Sequence, residues 1–164
     1  MMSQVTERSG VPPHAVIATL TLAIAAVAAV LAFIYATART SRRTLRWPLL
    51  AVSAGSCVLA TVTGQLGGPL LDAVKATGSA VEIAAAQQHA HGSDVLTVSS
   101  FALLVVVLST VWKALSPRRE PWNAGAVIGA VLLAGAAAAV LVTGCIVLME
   151  ALEAVTAGHP TWVG

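Results

Sequence analysis

The sequence predicts an all-α, polytopic membrane protein: a four-transmembrane-helix bundle with an amphipathic outer-side segment between helices 2 and 3. Three observations predict it. Of 164 residues, 57% are apolar and only 10% charged, against about 25% charged in a soluble domain. So few charges cannot cover a water-facing surface, and lipid is the solvent that fits. The apolar residues fall into four runs, each near the roughly 20 residues that cross a hydrocarbon core about 30 Å thick. The runs are continuous, without the period-two alternation of a membrane barrel. Backbone in lipid must satisfy its own polar groups, so each run is a helix. The length allows one membrane domain, residues 1–164.

The first span is His14 to Ala38. It is longer than the 7–15 residues of a secretory apolar region, and its positive charges follow rather than precede it, so it reads as an uncleaved anchor. The second span is Trp47 to Leu66, residues 47–66, in which Thr61, Thr63 and Gln65 give the outer half some polarity suited to an interhelical hydrogen bond. The segment 69–91 follows. Its apolar residues Leu70, Leu71, Val74, Val81 and Ile83 are interleaved with Asp72, Lys75, Glu82 and Gln87. This predicts one or two helices lying along the outer surface, interrupted at Thr77-Gly78-Ser79, as a lid or as a platform for another subunit.

The third span, Val95 to Trp112 (95–112), is the shortest and is expected to borrow helix from before Asp94. The fourth, Ala124 to Met149 (124–149), is dense in Ala and Gly. Lipid tails give no hydrophobic drive for helices to associate, so close packing needs small residues. Gly125 and Gly129 stand four apart, beside Ala126, Ala130, Ala134 and Ala138, and Leu133 ends the glycine row. Such a face serves either as an internal seam or as a seam for a partner subunit. A faint duplication also shows: Trp47 and Val62-Thr63-Gly64 of the second span are echoed by Trp122 and Val142-Thr143-Gly144 around the fourth.

Charge sets the direction. Arg39, Arg42, Arg43 and Arg46 fill the first connection; Lys113, Arg118 and Arg119, with Glu120, fill the third. These loops sum to +6, whereas the opposite side sums to −4. The positive-inside rule puts the basic loops in the cytoplasm. Both termini and the segment 69–91 are then outside, in a bacterial cytoplasmic membrane. Trp47, Trp112 and Trp122 fall at the inner ends of their helices, where an aromatic belt belongs. Net charge is only +2, which argues against nucleic acid as a partner.

Candidate chemistry is sparse. All four histidines fall on the outer side: His14 starts the first span, His89 and His91 precede the third, and His159 follows the fourth. Histidine binds metals and haem, so His14 with His89 or His91 is the set that a haem b or a metal ion would use. On a helix, His89 and His91 point to opposite sides, while Gln87, His91 and Asp94 share a face, as do Glu150 and Glu153. No Arg, Lys, Asp or Glu sits at the middle of a span, where an ion or proton path would place one. The phosphate-loop, zincin and nucleophile-elbow motifs are all missing. Cys57 and Cys145 lie inside apolar runs and read as small buried residues.

The placement of Pro13-His14, of His89-Ala90-His91 and of Thr63-Gly64-Gln65-Leu66-Gly67-Gly68 resembles a bacterial family of four-helix membrane proteins, domain of unknown function 2231. The glycine-rich stretch ends the second span here, whereas the family carries it at the fourth. The resemblance implies the four-helix architecture and no activity. Taken with the lack of a catalytic set, the sequence leads to a non-catalytic membrane subunit or accessory protein of a larger bacterial assembly, with respiratory complexes foremost. Its partners are the lipid bilayer and other membrane subunits, met through Gly125, Gly129 and Ala130 and through residues 69–91. No cofactor is predicted by this reading. The alternative is a haem- or metal-binding redox protein using His14, His89 and His91.

Overall fold

A computed structural model describes residues 13–116 and 123–156. Four helices carry the chain: α1 (Pro13–Thr37), α2 (Arg42–Thr77), α3 (Ala80–Ser109) and α4 (Ala124–Thr156). A 3-10 turn, Arg39–Ser41, joins α1 to α2, and a π-turn, Thr110–Ala114, continues α3. All four are long and apolar enough to cross a membrane. Each packs on its neighbours in sequence, α1 closes the ring against α4, and α1 and α3, across the ring, barely touch. The bundle has two ends. The basic end carries the α1–α2 connection and the π-turn; the histidine end carries the start of α1, the α2–α3 turn and the end of α4.

The interior follows the spacing of buried residues. Along α2 these are Leu49, Ser53, Ser56, Ala60 and Thr63; along α3 they are Leu96, Ser100, Leu103 and Val107. Steps alternating between four and three are the seam of a left-handed bundle, in which side chains of one helix enter the gaps of the next. On α1 the same spacing buries Ala25, Ala28, Ala29, Ala32, Tyr35 and Ala36. So many alanines let the neighbouring helices come close. The opposite faces carry exposed Phe33, Val98, Ile128 and Val131, the side chains that lipid would solvate.

Arg42 builds the turn at the basic end. It is buried, and it donates from Nε to the Tyr35 carbonyl and from Nη2 to the Ala36 carbonyl, both at 3.0 Å. Those carbonyls end α1 and have no partner within the helix, so the guanidinium supplies the missing donors. Tyr35 in turn donates its hydroxyl to the Leu115 carbonyl at 3.2 Å, tying α1 to the end of the π-turn.

Two expectations change. The stretch 69–91 is not a separate helix lying on a surface. It is the continuation of α2 and the beginning of α3, joined by Gly78 and Ser79 alone. Pro48 and Pro69 both sit inside α2 without ending it, because packed neighbours hold such helices where sequence signals would break them. The interruption itself falls where expected. Gly78 ends α2, and a Cβ there would lie 2.6 Å from the Val74 carbonyl oxygen, so only glycine fits. Ser79 then opens α3 with a capping box: its N–H donates to Glu82 Oε2 at 2.6 Å, and its Oγ accepts from the Glu82 N–H at 3.4 Å. The third span does reach back before Asp94, as far as Ala80.

The second change concerns the small-residue face of α4. Gly129 is buried, and a Cβ on it would lie 2.7 Å from Ala114 Cβ. The close approach is therefore internal, between α4 and the π-turn. Leu133 does not end this face but continues it, fully buried, while Gly125 is exposed. The echo between Thr63 and Thr143 is likewise one of letters only. Thr63 is buried against α1, whereas Thr143 bonds, among the described residues, to carbonyls of its own helix.

Candidate functional site

At the histidine end, three helices converge on a cavity of about 200 Å³. From α1 comes His14, in the first turn. From α2 come Thr63, Gly64, Gly67 and Gly68, and from α3 come Ala86, His89, Ser93 and Asp94. The glycines explain the opening. A Cβ on Gly67 would lie 3.4 Å from the His14 ring, so the missing side chain lets the imidazole rest close to the α2 backbone. His14 Nδ1 is buried there without a hydrogen-bond partner, a state that costs free energy unless something occupies the cavity and meets it.

Below lies a smaller void of about 20 Å³ between all four helices, sharing Thr63, His89 and Ser93 with the cavity above. One water needs about 10–15 Å³ of this kind of space and two or more polar partners. The floor supplies them. Thr21 of α1 and Thr63 of α2 meet at 2.7 Å, and each also lies 2.8 Å from a carbonyl of its own helix, Ile17 and Leu59. Two hydroxyl protons fill only two of these three contacts at a time, and both oxygens keep an acceptor site open. Deeper still, Ser56 donates to Ser100 at 3.4 Å across the α2–α3 seam.

His14 and His89 are therefore brought together, and His91 is not. His91 is exposed, two residues from His89 and turned away from the cavity. Asp94 lines the cavity, while Gln87 is exposed and outside it. Among the described residues, no three His, Cys, Asp or Glu are placed to hold a metal ion. The cavity is also smaller than the roughly 300–1,000 Å³ of sites for drug-sized ligands. His159, Arg118, Arg119, Glu120 and Trp122 lie outside the described residues.

Two features escaped the sequence reading. Glu150 of α4 is buried, and its carboxyl rests on the α3 backbone in the space a side chain at Gly92 would fill; Glu150 Oε2 has no hydrogen-bond partner. Glu153, expected on the same face, is exposed. At the basic end, Trp47 and Trp112 stand edge to face with centroids 6.2 Å apart, and the Arg46 guanidinium lies over both rings. The chain matches no known protein family, no curated protein and no solved structure.

Proposed function

We propose that the chain is a four-span, non-catalytic subunit or accessory protein of a larger membrane assembly in a bacterial cytoplasmic membrane. Its basic end faces the cytoplasm and its histidine end faces out, in keeping with the division of charge. The likeness to domain of unknown function 2231 belongs to this reading. The observation that carries it is the α2–α3 hairpin. At 36 residues, α2 is roughly 54 Å long, against about 30 Å of hydrocarbon. Beyond Gly67, where His14 of α1 touches it, α2 runs on to Thr77, a projection on the order of 15 Å. Val74 and Ala86 are buried within the hairpin, yet Val81 at its tip is 73% exposed. A rigid projection with an apolar tip beside charged residues suits a protein partner. Among the described residues, the buried polar groups are six hydroxyls, most of them bonded to one another or to backbone, one arginine that caps a helix, and the Glu150 carboxylate. None has the arrangement of a nucleophile and its base.

The test is the size of the complex in mild detergent, with the chain tagged and expressed at its native level. The wild type should migrate well above a single chain. Val81→Glu should return it towards the monomer without changing its melting temperature. Monomeric wild type contradicts the proposal.

The convergence of His14 and His89 favours a second reading, a membrane protein that binds a small ligand or metal at this end. Purified protein would then carry a stoichiometric species, lost in both His14→Ala and His89→Ala and kept in His91→Ala. Purified protein with no Soret band, no stoichiometric metal and no retained small molecule contradicts it.

A further inference from the structure

The basic end holds an arrangement that neither the bundle nor the proposed partner uses. Arg46 lies in the second turn of α2, with its guanidinium 4.6 Å from the Trp112 ring centroid and 5.8 Å from that of Trp47. The indoles come from different helices, and both face outward, Trp47 68% exposed and Trp112 46%. Arg46 Nε is buried without a hydrogen-bond partner. Indoles beside a guanidinium strip water from it but offer its N–H groups no acceptor. Arg43, three residues earlier on the same helix face, is exposed, and Lys113 follows Trp112 directly. The π-turn sets this geometry, since it adds one residue to the turn that carries Trp112 and Lys113; such insertions often mark functional sites.

We propose that Arg46, Trp47 and Trp112 form a binding site for the phosphate of an anionic phospholipid. The indoles stand at the depth where an apolar span meets headgroups, which is where Trp is enriched. The two Nη groups of the guanidinium carry the donors that fit a phosphate oxygen pair, since Nε is buried. Basic clefts between transmembrane helices bind anionic headgroups by this chemistry. A phosphodiester with acyl chains fits better than free phosphate, because the flanks of the site are exposed apolar surface, including Val58 on α2 and Leu108 on α3. The inference rests on the chain lying in a bilayer and needs no partner subunit.

The experiment is native mass spectrometry of the detergent-purified chain titrated with phosphatidylglycerol or with phosphatidylcholine of the same acyl chains. Phosphatidylglycerol should bind at least about tenfold more tightly. Arg46→Gln should remove about that factor, Trp112→Ala several-fold, and Arg46→Lys an intermediate amount. Lys75→Gln, which removes one charge at the opposite end, should leave binding unchanged. Excess inorganic phosphate should not displace the lipid. Melting curves without lipid establish that each variant is folded, and Arg46→Lys keeps the charge if Arg46→Gln is not. Equal binding of the two lipids overturns the proposal, as does equal loss in Arg46→Gln and Lys75→Gln. Displacement by inorganic phosphate overturns the lipid as the ligand. A chain soluble and monodisperse without detergent would instead refute the membrane reading on which the site rests.

Discussion

At the scale of single residues, Gly129 marks the close approach of α4 to the π-turn. A methyl group there would sit 2.7 Å from Ala114 Cβ, closer than two carbons approach without something moving. Neither partner is a flexible side chain, so a helix must shift. Gly129→Ala should therefore lower stability in detergent by about 1–3 kcal/mol, the usual cost of overpacking, and Gly129→Leu by more. Ala114→Gly removes the opposing methyl. The double variant Ala114→Gly with Gly129→Ala should recover most of the loss, and thermal melts of the four proteins measure that coupling. Losses that simply add would mean that the two residues do not touch. The small residues of α4 were legible in the sequence as a seam, but their direction was not. Four residues on a helix turn through 400°, so Gly125 lies off the row of Gly129 by some 40°, enough for one to be exposed and the other buried. Ser53, Ser56 and Ser100 gave no signal at all, because a lone serine in an apolar run reads the same whether it faces lipid or a neighbouring helix.

At the scale of elements, the α2–α3 hairpin is closed by its own local bonds. Its turn is two residues long and is fixed by local bonds, those of Ser79 and Glu82. Ser79→Ala removes one capping acceptor, worth about 1 kcal/mol. The effect should stay local: amide exchange in the first turn of α3 should quicken about fivefold while the melting temperature of the bundle holds. Hydrogen exchange by mass spectrometry reads both. Exchange that quickens throughout α3 would mean that the hairpin and the bundle unfold as one unit. The turn was readable from Thr77-Gly78-Ser79, since glycine and a capping serine carry their own physics. The unbroken helix through Gly67-Gly68-Pro69 was not. Those residues end helices in water, where no neighbour compensates; here the chain continues because α3 packs along α2. The histidine cavity shows the same division. His14 and His89 stood out as residue types, but only the packing of α1 on Gly67 explains why these two meet and His91 turns away.

At the scale of the whole molecule, an even number of helices in a closed ring puts the described ends of the chain, Pro13 and Thr156, at the same end of the bundle. That end also carries Glu150, Asp72 and Asp94, while the arginines of the α1–α2 connection crowd the other. The asymmetry underlies our proposal that the chain crosses a cytoplasmic membrane four times with the basic end inside. The measurement that tests this most directly is a set of reporter fusions, comparing a cytoplasmic fluorophore with a phosphatase active only outside. Fusions after Arg43 and after Ser116 should fluoresce and show no phosphatase activity. Fusions after Gly78 and at Gly164 should do the reverse. Phosphatase activity after Ser116 would contradict four spans, and activity after both Arg43 and Ser116, with fluorescence at Gly78 and Gly164, would contradict the orientation.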